Sequence, residues 1–171
     1  MYLLREHRRV AGMPELAYAG LSENWLLKEC GQRHWRGIAG LSGQALPRFA
    51  DTAGRTAYAA FTAITLSDAA LEEIGEHTRF GIRTGMAPAG RSQYFSRHVL
   101  SAGRRARARI RMLSAFVYRG EAGNNQSVAR AVVGQAAPEE GGPLADDIAD
   151  LLQSSARARL GEPDCEGLTP V

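Results

Sequence analysis

The strongest constraint on this chain is a change of hydrophobic period after residue 41. Between Ser22 and Leu41 the apolar residues Trp25, Leu26, Leu27, Cys30, Trp35, Ile38 and Leu41 recur at helical spacing. They wrap most of the circumference, which predicts one long helix buried on several sides. Ser22 is a good N-cap and Glu23 falls in the first turn, so the helix has a defined start. Gly31, Gly37 and Gly40 weaken it intrinsically but let other elements approach closely. From Thr56 onward the pattern is that of strands. Thr56–Leu66, Thr78–Gly85, Arg91–Leu100, Ala106–Tyr118 and Ser127–Val133 are rich in β-branched, aromatic and alternating residues. Breaks at 85–90, 101–104 and 120–125 suit antiparallel connections, and 71–77 reads as one helical turn. Leu3–Val10 adds a strand ahead of the helix. One long helix followed by a run of strands predicts an α+β fold, with the helix against an antiparallel sheet. At 171 residues the chain suits one such domain with a tail.

Charge divides the chain at a second boundary, after residue 135. Residues 1–135 hold 19 basic and 10 acidic residues, a net of +9, and residues 136–171 hold 2 and 8, a net of −6. The expected organisation is a domain over 1–135, then an acidic linker and C-terminal amphipathic helix over 136–171. Pro143 near its start, Asp146 and Asp147 in its first turn, and Gly161 at its end mark that helix, with Leu144, Ile148, Leu151 and Leu152 on one face. No apolar run is long enough to span a membrane. The N-terminus has no apolar segment after its charges, and Cys30 and Cys165 make no metal or disulfide pattern, so a reduced cytoplasmic setting is expected.

Arg105, Arg107, Arg109 and Arg111 look at first like a nucleic-acid tract. At strand spacing they share one face, while Ile110, Met112, Ser114 and Phe116 share the other. This is a half-buried strand with a cationic outer face. Such a face is either simply solvated or a docking surface for phosphate or an acidic protein. No nucleic-acid motif accompanies it. Ser92, Tyr94, Ser96 and His98 form a second row on one strand face, beside Arg91. Asn124, Asn125 and Ser127 have the composition of a turn. His34, beside Trp35 on the helix, reads as a packed histidine.

Four segments carry a resemblance to a known family. They are GMPELAYAGLSENWLLKECGQRHW (12–35), AYAAFTAITL (57–66), GRSQYFSRHVL (90–100) and GEAGNNQSVARA (120–131). Together they resemble the leinamycin-type acyltransferase/decarboxylases of polyketide pathways. The resemblance implies a hotdog fold, a long helix wrapped by an antiparallel sheet. It implies transfer of methylmalonyl from coenzyme A, its decarboxylation, and delivery of propionyl to an acyl carrier protein. The coenzyme A thioester is then a substrate, and no cofactor or metal is needed. The implied catalytic residues are Tyr58, Ser92 and Asn125, with Ser22, Asn24, Arg91 and Ser127 binding substrate. A phenol ionises only near pH ~10 in water, so a nucleophilic tyrosine needs positive charge beside it, whereas a hydrogen-bond donor does not. That family has two hotdogs per chain, and this sequence has material for one. The expected partners are therefore acyl-CoA, an acyl carrier protein, and a second hotdog in a homodimer or heterodimer, with no nucleic acid and no membrane. Two alternatives stay open. One is a hotdog thioesterase or dehydratase using Glu23 or Glu29. The other is a non-catalytic half that completes a partner's site.

Overall fold

Ser22 caps the long helix as its side chain predicts, its Oγ accepting a hydrogen bond from the Trp25 amide at 3.3 Å. The helix, α1, runs Glu23–Leu41. The computed structural model describes residues 1–121, 123–133 and 141–160, apart from the side chains of Asn125 and Arg159. Gly161, Cys165 and most of the predicted linker lie outside the described residues. Ahead of α1 come β1 (Tyr2–Val10) and a small two-stranded ribbon of β2 (Leu16–Ala17) and β3 (Gly20–Leu21). After it come β4 (Tyr58–Ser67), β5 (Arg79–Gly90), β6 (Gln93–Ala102), β7 (Arg105–Arg119) and β8 (Val128–Arg130). The main sheet is antiparallel in the order β1-β5-β6-β7-β4, and β8 extends it beside the end of β7.

The predicted α+β order holds, but three element lengths differ, the strand expected over Ser127–Val133 being only Val128–Arg130. The expected break at 85–90 is instead strand: β5 runs on through Pro88, which pairs with Tyr94. β1 ends opposite Met86, so β5 has one neighbour at Pro88 and the missing N–H leaves no gap on the other side. The turn falls at Arg91–Ser92. The 71–77 segment is a single 3-10 turn, Leu71–Glu73.

The inner face of the sheet closes on α1. Leu26 and Cys30 pack with Phe80, Ile82, Leu100, Ile110 and Met112 near the helix start. Ile38 packs with Met86, Tyr94 and Phe116 near its end. The helix can sit this close because of Gly37, where a Cβ would lie 2.6 Å from Met86 Sδ. Cys30 is buried, and burial pushes its thiol pKa up to about 12.

The acidic C-terminal helix, α2 (Ala145–Arg159), lies on the other face of the sheet. Leu144 and Leu151 are buried there against Ala87, Ala89, Phe95 and Leu113. Asp147 accepts from Arg97 at 3.0 Å and lies 3.5 Å from Arg111, which also donates to Asp150 at 2.6 Å. The charge asymmetry of the chain is thus partly an internal match, an acidic helix on a basic face. Exposed ion pairs contribute little, so the leucines hold the helix. Leu151→Ala should destabilise the protein by about 2–4 kcal/mol in urea titrations, whereas Asp150→Asn should change it by less than about 1 kcal/mol. Among the described residues no helix is long and apolar enough to cross a membrane.

Candidate functional site

The predicted site residues fall at two opposite ends of the sheet. Tyr58 opens β4 directly opposite Val117 of β7. Phe116 faces α1, so Val117 and Tyr58 point to the other face of the sheet, and Tyr58 is 57% exposed. Arg91 is exposed and Ser92 buried in the β5–β6 turn, where the Ser92 carbonyl accepts from the Phe116 amide at 2.9 Å. The 124–127 turn lies at the same end, because Val128 pairs with Arg119. Ser127 Oγ accepts from the Glu121 amide at 2.9 Å and donates to the Asn124 carbonyl at 2.7 Å. Asn124 Oδ1 accepts from the Gln126 amide at 2.9 Å. Ser127 and Asn124 thus hold the turn itself. The side chain of Asn125 lies outside the described residues.

Ser22 and Asn24 sit at the other end, at the start of α1. Nineteen residues of helix separate that end from Leu41, about 28 Å at 1.5 Å per residue. Leu66, near the end of β4, belongs to the same apolar cluster as Leu26 and Leu27, so β4 runs between the two ends. One copy of the chain therefore does not bring Tyr58 and Ser22 together.

Of the predicted row, Tyr94, Ser96 and His98 share the β6 face buried under α1, while Ser92 is buried in the turn before it. Tyr94 donates its hydroxyl to the Val133 carbonyl. Ser96 Oγ is 2.6 Å from His34 Nδ1 and 2.8 Å from His98 Nε2. His34 Nε2 is 2.8 Å from Ser114 Oγ, and His98 Nδ1 is 2.9 Å from Thr84 Oγ1. Arg33 Nε then donates to Thr84 Oγ1 at 2.7 Å, and its Nη2 donates to the Arg5 carbonyl at 2.8 Å. The result is an unbroken chain, Ser114–His34–Ser96–His98–Thr84–Arg33, across the interior. Burial alone lowers the His34 pKa to about 3. Burial, then the neighbouring His34 and Arg33, holds His98 well below the usual histidine value. Both rings are neutral at physiological pH. Each pairs through two ring nitrogens, as a neutral imidazole does with one donor and one acceptor. Within the row, Ser96 is thus engaged with the helix and Tyr94 with the Val133 carbonyl.

Sequence reasoning missed Thr84, Arg33 and Glu15. Glu15, 4% exposed, precedes the β2–β3 ribbon, and its carboxylate takes Arg9 Nη1 at 2.7 Å and the Gly12 amide at 3.2 Å. Nothing in the local pattern marks these three as interior, because their partners lie on other elements. The arginine row is largely partnered within the chain. Arg107 pairs with Glu73, Arg109 with Asp68 at 3.1 Å, and Arg111 with Asp147 and Asp150. Arg105 is exposed at the start of β7.

No family profile matches the chain, and no curated protein matches it in sequence. Solved structures do match in fold. A probable thioesterase from Bartonella henselae superposes with a TM-score of 0.54 at 10% identity, covering 74% of this chain and 97% of that one. A hexameric acyl-CoA thioesterase gives 0.55 at 8% identity, covering 95% and 94%. An acyl-CoA hydrolase from Staphylococcus aureus, solved with butyryl coenzyme A, gives 0.54 at 9% identity, covering 92% and 84%. At these identities the likeness establishes the fold, a hotdog with one helix wrapped by one antiparallel sheet.

Proposed function

We propose that this chain acts on an acyl thioester, as a pair of hotdog units joined edge to edge through β4. The observation that carries this reading is the contrast between the two edges of the sheet. β1 carries Arg5, Arg8 and Arg9, the kind of charge that keeps an edge from pairing. β4 (YAAFTAITLS) has no charged residue and exposes Tyr58 and Ile64. Antiparallel pairing of β4 with its copy about the strand midpoint sets Tyr58 opposite the partner's Ser67. The Tyr58 end of one unit then meets the Ser22 end of the other, which one chain alone holds apart.

The reaction favoured by the sequence resemblance is decarboxylative acyl transfer. The bond between the α-carbon of a malonyl-type thioester and its carboxylate breaks. The electron pair moves into the thioester as an enolate, carbon dioxide leaves, and the α-carbon takes a proton. A carrier thiol then displaces the thiol of coenzyme A. The protein's task is to hold the enolate oxygen and to exclude water from the carboxylate. The Tyr58 hydroxyl is a donor of that kind, and Arg91, in the β5–β6 turn at the same end of the sheet, is a partner for the carboxylate. Hydrolysis is the second reading, favoured by the thioesterase folds above, with Glu23 in the first turn of α1 activating water.

Tyr58→Phe should lower carbon dioxide release from methylmalonyl-CoA by about 10²–10³-fold, the usual effect of losing one oxyanion donor, and leave the thermal melt unchanged. Wild-type release by that variant rejects Tyr58. Free acid as the product, lost in Glu23→Gln, selects hydrolysis instead.

A further inference from the structure

A cleft of about 640 Å³ opens between β1 and α1, at the sheet edge opposite β4. Its lining is Arg5, Glu6, His7, Arg8, Arg33 and Arg36. Of the two carboxylates at hand, Glu6 pairs with Arg8 at 2.6 Å, and Glu29 lies 3.7 Å from His7, whose pKa burial lowers. Arg5 and Arg36 form no ion pair among the described residues.

Arg33 is the telling residue. It is 5% exposed, yet no carboxylate among the described residues lies within ion-pair distance of it. Its Nε and Nη2 are taken by Thr84 and the Arg5 carbonyl, which are neutral acceptors. A buried guanidinium with only neutral partners lacks the counter-charge that normally offsets its desolvation. Arg33 also stands at the end of the interior hydrogen-bonded chain, so its position is fixed. Three guanidinium groups thus line one concave surface, with Glu29 as the carboxylate whose charge acts on Arg33. The planar fork of arginine matches phosphate oxygens two at a time.

We propose that this cleft binds a phosphate group, with Arg33 at its floor and Arg5 and Arg36 closing on the other oxygens. Three guanidinium groups against the one carboxylate of Glu29 leave a net positive surface that suits the dianion of a phosphate monoester better than a single carboxylate. The group can come from free phosphate or from a phosphorylated cofactor, such as the nucleotide end of coenzyme A. The site stands on the cleft alone and does not depend on the acyl-thioester reading.

Calorimetric titration of the full chain with inorganic phosphate, and separately with adenosine 3′,5′-bisphosphate, tests it. Saturable binding is expected, weakened about tenfold or more in Arg36→Gln and in Arg5→Gln, whose side chains lie outside the interior chain. Binding of both probes with equal affinity assigns the site to phosphate itself. Tighter binding of the nucleotide assigns it to a phosphorylated cofactor. Absence of saturable binding by either probe overturns the proposal, as does wild-type affinity in both variants. Thioester turnover is not the readout, so this result stands apart from that of the proposed reaction.

Discussion

Replacing His34 with alanine should cost about 3–5 kcal/mol of folding stability, the sum of a core cavity and two stranded hydroxyls. His34 is completely buried between Ser96 and Ser114, and its ring also meets Trp35 and Phe61 edge-on at 4.9 and 5.1 Å. A loss of this size is a large share of the ~5–15 kcal/mol that holds a typical domain together. The same network predicts acid lability. The folded-state pKa of His34 is about 3, below the ordinary 6.5, and that of His98 is lowered in the same direction. Between those values the unfolded chain binds more protons than the folded one. Stability is therefore complete above about pH 6.5 and falls as pH drops towards 3. His34 contributes a slope of up to about 1.4 kcal/mol per pH unit in that window, and His98 adds to it with the same sign. Urea titrations between pH 7.5 and about 4.5 should show this fall, and His34→Phe should reduce the slope. A flat profile down to about pH 4.5 contradicts the neutral buried pair.

Lysine at the β4 edge should separate the paired units. Thr62 lies at the bulge of β4 near the strand midpoint, and Ile64 is 43% exposed two residues on. In the two-fold pairing Thr62 falls opposite the partner's Ala63 and Ile64 opposite the partner's Phe61, so the four lysines cluster at the centre of the seam, the kind of charge that keeps an edge from pairing. Thr62→Lys with Ile64→Lys should raise the dissociation constant of the pair by about 100-fold or more, read by light scattering across a dilution series. Ile64 is exposed and Thr62 gives up only one long hydrogen bond, 3.4 Å to the Leu113 carbonyl, so the melting temperature at high dilution should stay close to wild type. Loss of acyl-thioester turnover should accompany dissociation, because each unit then retains only one end of the site. A variant that stays paired through another surface removes β4 from the account.

The helix and most strands were legible because their signals are local. Ser22 caps α1, seven apolar residues surround it, and β-branched runs mark β4 and β7. Alternation also showed that Tyr94, Ser96 and His98 share a face. It did not show which face meets the helix, since that depends on the closure of the sheet around α1. The Ser96 hydroxyl, which looked available to a ligand, is instead the partner of His34 and His98, and that of Tyr94 is held by the Val133 carbonyl. The extension of β5 through Pro88 was hidden for a similar reason, because the tolerance of proline there depends on where β1 ends. The opposite charges of the body and the tail were plain in the sequence. Their contact, Asp147 and Asp150 on Arg97 and Arg111, joins residues 36 to 50 positions apart and has no local signature. The split of Tyr58 from Ser22 follows from strand direction and helix length together.

The most direct test of the central claim is intact-mass analysis of a phosphopantetheinylated carrier protein after incubation with methylmalonyl-CoA and this chain. The account predicts a propionyl adduct on the carrier, formed by the paired wild type and absent with Tyr58→Phe and with the β4 lysine variant. A carrier left unmodified, with the thioester intact and the chain shown to be paired through β4, would contradict it.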